Sequence, residues 1–165
     1  MKNAGLTGIV MASVSWGDCD GDGALDLLAM GTNTPDLTND ISILYENTRS
    51  SVNSIPGLPS NLQSSVIGSE VTFSWDAATD NETPSAGLTY NVKVRTESGG
   101  PDDVMPCMSD PVTGKRYVPA MGNVQLNTSW TLKGLSPGTY YWSVQAVDNS
   151  FAGSSWPTEQ SFVIP

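Results

Sequence analysis

Apolar and polar residues alternate with a period of two along most of this chain, which is the pattern of strands that bury one face. Val10, Ala12, Val14 and Trp16 share one side of the first run, with Met11, Ser13 and Ser15 on the other. The alternation returns at Leu25, Leu27 and Ala29, and again at Ile41, Ile43 and Tyr45. Farther along it marks Val71, Phe73 and Trp75, then Tyr90, Val92 and Val94, then Trp130 and Leu132, then Tyr140, Trp142, Val144 and Ala146, and last Ser161 to Ile164. Weaker strands are expected at 59–66 and 119–126. Sixteen glycines, eleven prolines and 15% charged residues suit short strands joined by turns, so the fold class expected is all-β.

The chain has 165 residues, room for one large domain or two small ones, and its 38% apolar content can fill a core. Ser50 to Pro59 is polar and then punctuated by proline, the composition of a linker. This places a short three-stranded sheet in residues 1–50, a linker at 51–58 and a second domain at 59–165. The strands of the second domain approach the seven of an immunoglobulin-like sandwich. Between its strands near Arg95 and Trp130 lies an insertion, about 97–127, of a size that is usually functional or disordered. Its methionines, the basic pair Lys115 and Arg116, and Tyr117 suit a docking surface; a loop folded over the sandwich edge fits equally well.

Charge narrows the partners. Seventeen acids against seven bases leave a net charge of -10, which would repel a phosphate backbone, so nucleic acid is not an expected partner. The absence of histidine removes Ser-His-Asp and Cys-His catalysis and the common zinc sites, so a metal here must be held by oxygen. No apolar run approaches the ~18 residues of a membrane span. The opening, Met1-Lys2 and then Gly5 to Ala12, is read as the start of an excised piece rather than a signal peptide. Two cysteines, Cys19 and Cys107, are too few for a disulfide framework, and sequence alone leaves their pairing open.

The densest chemistry is Asp18-Cys19-Asp20-Gly21-Asp22-Gly23-Ala24-Leu25-Asp26, four carboxylates in nine residues between two alternating strands. Like charges this close repel unless something neutralises them. Calcium takes six to eight oxygens, and acids at loop positions 1, 3, 5 and 9 with a carbonyl at 7 can wrap one ion. The expected ligands are therefore Asp18, Asp20, Asp22, Asp26 and the carbonyl of Ala24, with Gly21 and Gly23 supplying backbone freedom. The twelfth position, where an EF-hand places its glutamate, is Ala29, and strands rather than helices flank the loop.

Ser13 to Gly31, followed by Ile41 to Asn47, resembles an FG-GAP or VCBS repeat. Such repeats are blades of integrin-α-like propellers whose aspartate loops hold calcium, and the resemblance implies Asp18, Asp20, Asp22 and Asp26 as side-chain ligands. Only one copy of the loop occurs, so the blade is partial: either it is the last blade of a longer propeller, or its three strands lie against the second domain or another chain, and an unpaired edge predicts self-association.

Leu135-Ser136-Pro137-Gly138-Thr139-Tyr140, with Val144 and Ala146 beyond it, resembles a fibronectin type III domain over residues 56–165. That resemblance implies a core tryptophan at Trp75 and a tyrosine corner, for which Tyr140 and Tyr141 are rivals. Trp156, with Tyr117 and Arg116, is the candidate surface for a protein or glycan ligand. Asp80 and Glu82 in one loop, with Asp148 and Asn149 in another, form a candidate second metal site, against the plainer reading of solvated turns. Asn81 and Asn127 fit the N-glycosylation pattern.

No nucleophile or acid–base pair stands out, so a non-enzymatic role is expected. Both resemblances imply an extracellular or cell-surface module, calcium-stabilised, serving adhesion, binding or spacing beside other domains of a larger protein. The alternative is an accessory, carbohydrate-binding region of a larger secreted enzyme.

Overall fold

The computed structural model describes residues 5–20, 22, 24–34, 36–48, 53–101 and 104–165. Gly21 and Gly23 lie outside the described residues. The chain divides into two compact units, Met1–Asn53 and Ser54–Pro165.

The first unit is an antiparallel sheet of β1 (Val10–Gly17), β2 (Asp26–Thr32) and β3 (Asp40–Tyr45), in that spatial order. Register aligns Trp16 with Leu27 and Tyr45, and Val14 with Ala29 and Ile43, gathering these apolar side chains on one face. Ala29, at the centre, is buried, yet Val14 is 61% and Trp16 54% exposed. A sheet needs a second layer to bury its apolar face, and none is supplied among the described residues of this unit. A bulge interrupts β1 between Val10 and Ser13, with Met11 at φ 50°.

The second unit is a sandwich. One sheet orders β4 (Ser60–Ile67), β5 (Glu70–Asp76) and β7 (Ser129–Leu132); the other orders β6 (Thr89–Arg95), β8 (Gly138–Val147) and β9 (Gln160–Ile164). β4 is bulged between Ser60 and Gln63, with Asn61 at φ 51°. The inner positions of both sheets meet: Phe73 lies 4.3 Å from Trp142 between ring centroids and 5.4 Å from Phe162, and Trp75 lies 5.5 Å from Tyr90. Of the rival tyrosines, Tyr140 faces inward, and its hydroxyl donates to the carbonyl of Ser136 at 2.8 Å. This is the tyrosine corner; Tyr141, on the opposite face, is only half-buried.

Two features depart from the sequence expectation. Residues 54–58 belong to the second unit rather than to a free linker: Ser54 donates to Glu82, the Gly57 N–H donates to the Thr79 carbonyl at 2.8 Å, and Pro56 is buried. Residues 119–126 form turns rather than a strand, because Gln125 sits at φ 55° and an extended run cannot continue through that conformation.

From Val104 onward the insertion closes the free edge of β6. Val94 pairs with Met105, and Tyr90 donates to Gln125 and accepts from Val124. Between them the Asn123 side chain accepts from the Val92 N–H and donates to its carbonyl, both at 2.8 Å, so one amide side chain replaces a strand residue. Val124 fills the core from the same segment, at 1% exposure.

Candidate functional site

The turn from β1 to β2 folds through successive aspartate caps. Asp20 Oδ1 accepts the Asp22 N–H at 3.1 Å and Asp22 Oδ1 accepts the Ala24 N–H at 2.8 Å, each acid holding the residue two positions on. This curl gathers Asp18, Asp20 and Asp22, one oxygen from each lying within 4.8 Å of the others, all three side chains exposed. Carboxylates at such range repel by about 1 kcal/mol per pair even in water. Their all-oxygen donor set fits a hard cation such as calcium.

Asp26, expected as a fourth ligand, does not join this group. It is buried, with Oδ2 accepting the Cys19 N–H at 2.9 Å and Oδ1 accepting the Asn47 N–H at 2.8 Å. The Cys19 thiol also donates to it, and this bond, with two backbone N–H groups, holds the Asp26 carboxyl below the usual carboxylate range. The same contact, together with desolvation and neighbouring carboxylates, pushes the thiol up to about 11. Ala24, the expected carbonyl donor, is buried. Cys19 and Cys107 are not joined in a disulfide.

The candidate ligand surface centres on a residue that sequence reading passed over, Asp110. Its Oδ1 accepts from the Thr113 N–H at 2.6 Å, the Thr113 hydroxyl at 2.9 Å and the Val112 N–H at 3.0 Å. Its carbonyl accepts the Trp156 indole N–H at 2.9 Å, and the Tyr117 hydroxyl approaches Oδ2 at 3.4 Å. Trp156 is therefore not a free platform: it is half-buried, with the Lys93 ammonium 4.2 Å from its ring centroid. Tyr117 is 64% exposed. Arg116 is also engaged, donating to Ser109 Oγ at 3.1 Å and to the Ala120 carbonyl at 2.7 Å, and desolvation lowers its pKa.

Hydrogen bonds from the Thr113 backbone and hydroxyl, then from the Val112 backbone, hold the Asp110 carboxyl below its ordinary range. A lowered folded value means stabilisation that is complete above the ordinary carboxylate range and fades as pH falls toward the folded value. Wild type should therefore melt above Asp110→Asn near neutrality, and the gap should close as the buffer is taken through and below that range. A gap constant with pH would contradict this role.

Asp80, Glu82 and Asp148 do not come together as a metal group among the described residues. Their loops do meet, since the Asn149 N–H donates to Thr83 Oγ1 at 3.3 Å. The carboxylates are turned to local donors, however: Asp80 Oδ2 holds the N–H groups of Glu82 and Thr83, Glu82 holds Ser54, and Asp148 Oδ1 holds Ser150 and Ala152. Asp80 Oδ1 is buried with no hydrogen-bond partner. An open groove of about 360 Å³ runs along Pro59, Asn61, Gln63 and Gln160 with no aromatic or ionisable side chain in its lining.

The outer face of β6 and β8 also went unread. Asn91 and Gln145 are fully buried there: Asn91 donates to Ser109 Oγ and Gln145 Oε1, and Gln145 Nε2 donates to the carbonyls of Gly114 and Ser154, both at 2.6 Å. Lys93 donates to the Pro111 carbonyl at 2.8 Å. Arg95 pairs with Glu159 at 3.3 Å and donates to Gly100.

Two three-stranded sheets packed through alternating inward residues, with a tyrosine corner, define an immunoglobulin-like β-sandwich module. The fibronectin type III domain family matches residues 57–161, well over half the chain, and the chain belongs to that family. No curated protein matches it. Fibronectin type III domains are non-catalytic modules of larger, multidomain proteins. Among the described residues no helix is long and apolar enough to cross a membrane.

Proposed function

We infer that this chain is a non-catalytic, calcium-stabilised module of a larger secreted or cell-surface protein, serving adhesion, ligand binding or spacing. The observation that carries the reading is the convergence of Asp18, Asp20 and Asp22 in a strand-flanked loop, in a chain that continues into a fibronectin type III domain. The first sheet is taken as a partial FG-GAP or VCBS blade. Asp18, Asp20, Asp22 and the Ala24 carbonyl would hold the ion. A bound ion would neutralise the loop and cross-link its turn. A groove lined by no ionisable side chain and the engagement of the candidate carboxylates by backbone donors support a role without catalysis.

The test is a calorimetric calcium titration of chelator-treated protein, with a parallel melt and an Asp20→Ala, Asp22→Ala double variant. The expected result is one ion per chain, a higher melting temperature, and loss of both in the variant. Occupancy at a hundredfold excess over Kd should add about 2.7 kcal/mol to the unit that binds. Absence of both heat and stabilisation would sink the calcium reading. Light scattering across a concentration series tests self-association through the β3 edge and the exposed face of Val14 and Trp16; a mass of one chain throughout removes that partner.

A second reading, an accessory glycan-binding region of a secreted enzyme, draws support from Trp156 and Tyr117, which meet at Asp110. Retardation in polysaccharide gels, abolished by Tyr117→Ala, would favour it over adhesion or spacing.

A further inference from the structure

We propose that Asp26 is a positioning residue, which shapes the aspartate loop before an ion arrives and makes the chain after β3 part of the same unit. The proposal rests on reading the loop as a calcium site, but its first arm is read in the absence of calcium.

Asp26 differs in kind from its three neighbours. They are exposed and face one another, whereas Asp26 is 2% exposed and faces donors. One oxygen holds the N–H of Cys19, which sits between Asp18 and Asp20 in the chain, so this bond sets where two of the three gathered carboxylates emanate. The other oxygen holds the N–H of Asn47, 21 residues farther on and just past the end of β3. One buried carboxylate thus joins the β1–β2 turn to the far strand of the sheet. Charge-assisted bonds to backbone N–H groups are of the stronger kind, and a buried donor left without its acceptor pays its full desolvation cost. Asparagine at this position could accept only one of the two N–H groups and would set its own NH2 against the other.

The two roles open to Asp26 predict opposite signs in chelator. A group acting only as an ion ligand adds repulsion to the empty loop, so Asp26→Asn would leave the ion-free melting temperature unchanged or raise it. A positioning group stabilises the empty loop, so the same variant should lower the ion-free melting temperature of the first unit and speed amide exchange at Cys19 and Asn47 by tenfold or more. Asp20→Asn, on the exposed cluster, serves as the charge-matched control and should not speed exchange at Asn47.

Should Asp26→Asn fail to fold, Asn47→Pro removes the same bond from the donor side and should speed exchange at Cys19 in the full chain. With calcium, Asp26→Asn should bind 10–100-fold more weakly, in the manner of groups that orient metal ligands from behind. Unchanged ion-free melting and exchange in both variants would overturn the proposal. If the wild type takes up no calcium, the calcium reading falls, while the chelator arm still decides whether Asp26 anchors the loop.

Discussion

Replacing Trp142 with alanine is expected to destabilise the second unit by about 3–5 kcal/mol, measured by denaturant unfolding of the full chain. The side chain is fully buried on β8 and packs against the opposing sheet, with Phe73 at 4.3 Å and Trp75 at 6.4 Å between ring centroids. No neighbour can collapse into the space without leaving the opposing sheet. Trp142→Phe should cost much less, since it keeps a ring against Phe73 and removes an indole N–H that is buried without a hydrogen-bond partner. Equal losses in the two variants would show that ring packing is not the source of the effect.

Gly122→Ala is the second substitution with a large expected effect, because an added Cβ would run into the carbonyl of Tyr90 and the N–H of Asn91. Those atoms are β6 backbone and cannot swing aside as a side chain would. The segment carrying Asn123, Val124 and Gln125 must lift instead, weakening the seal along β6 and withdrawing Val124 from the core. Overpacking of this kind costs about 1–3 kcal/mol, and here the loss should be local as well as global. Hydrogen exchange should accelerate at Tyr90 and Val92, whose N–H groups the insertion accepts, more than at Val144 in the sheet interior. Uniform acceleration across both sheets would contradict a local seal.

The inner faces of the sandwich were legible because a period of two assigns every second residue to the core, and Val71, Phe73, Trp75, Tyr90, Val92, Val94, Trp142 and Val144 all lie there. The outer faces were not. Asn91, Lys93, Ser143 and Gln145 have the composition of a solvated surface, and alternation cannot distinguish water from a polar covering layer. What covers them is the insertion together with the segment 154–157, and the path of both depends on single long-range bonds, such as Gln145 to Gly114, Asn123 to Val92 and Ser143 to Pro157, that leave no periodic trace. The aspartate loop was legible in part for a similar reason. Spacing identified four acids, but spacing does not tell a carboxylate facing its fellows, as Asp20 does, from one turned inward to backbone donors, as Asp26 is.

The bulges in β1 and β4 bear on solubility over long storage. Each lies near the start of a strand at the rim of its sheet, and each places a non-glycine residue, Met11 or Asn61, in the left-handed region. A bulged strand bends and overtwists, so an incoming straight strand can follow it for only a few residues before the hydrogen bonds fall out of step. The insertion removes a third rim, that of β6. Among the described strands, the rims left open to fibril growth by strand addition are those of β3, β7 and β9, and β7 is only four residues long.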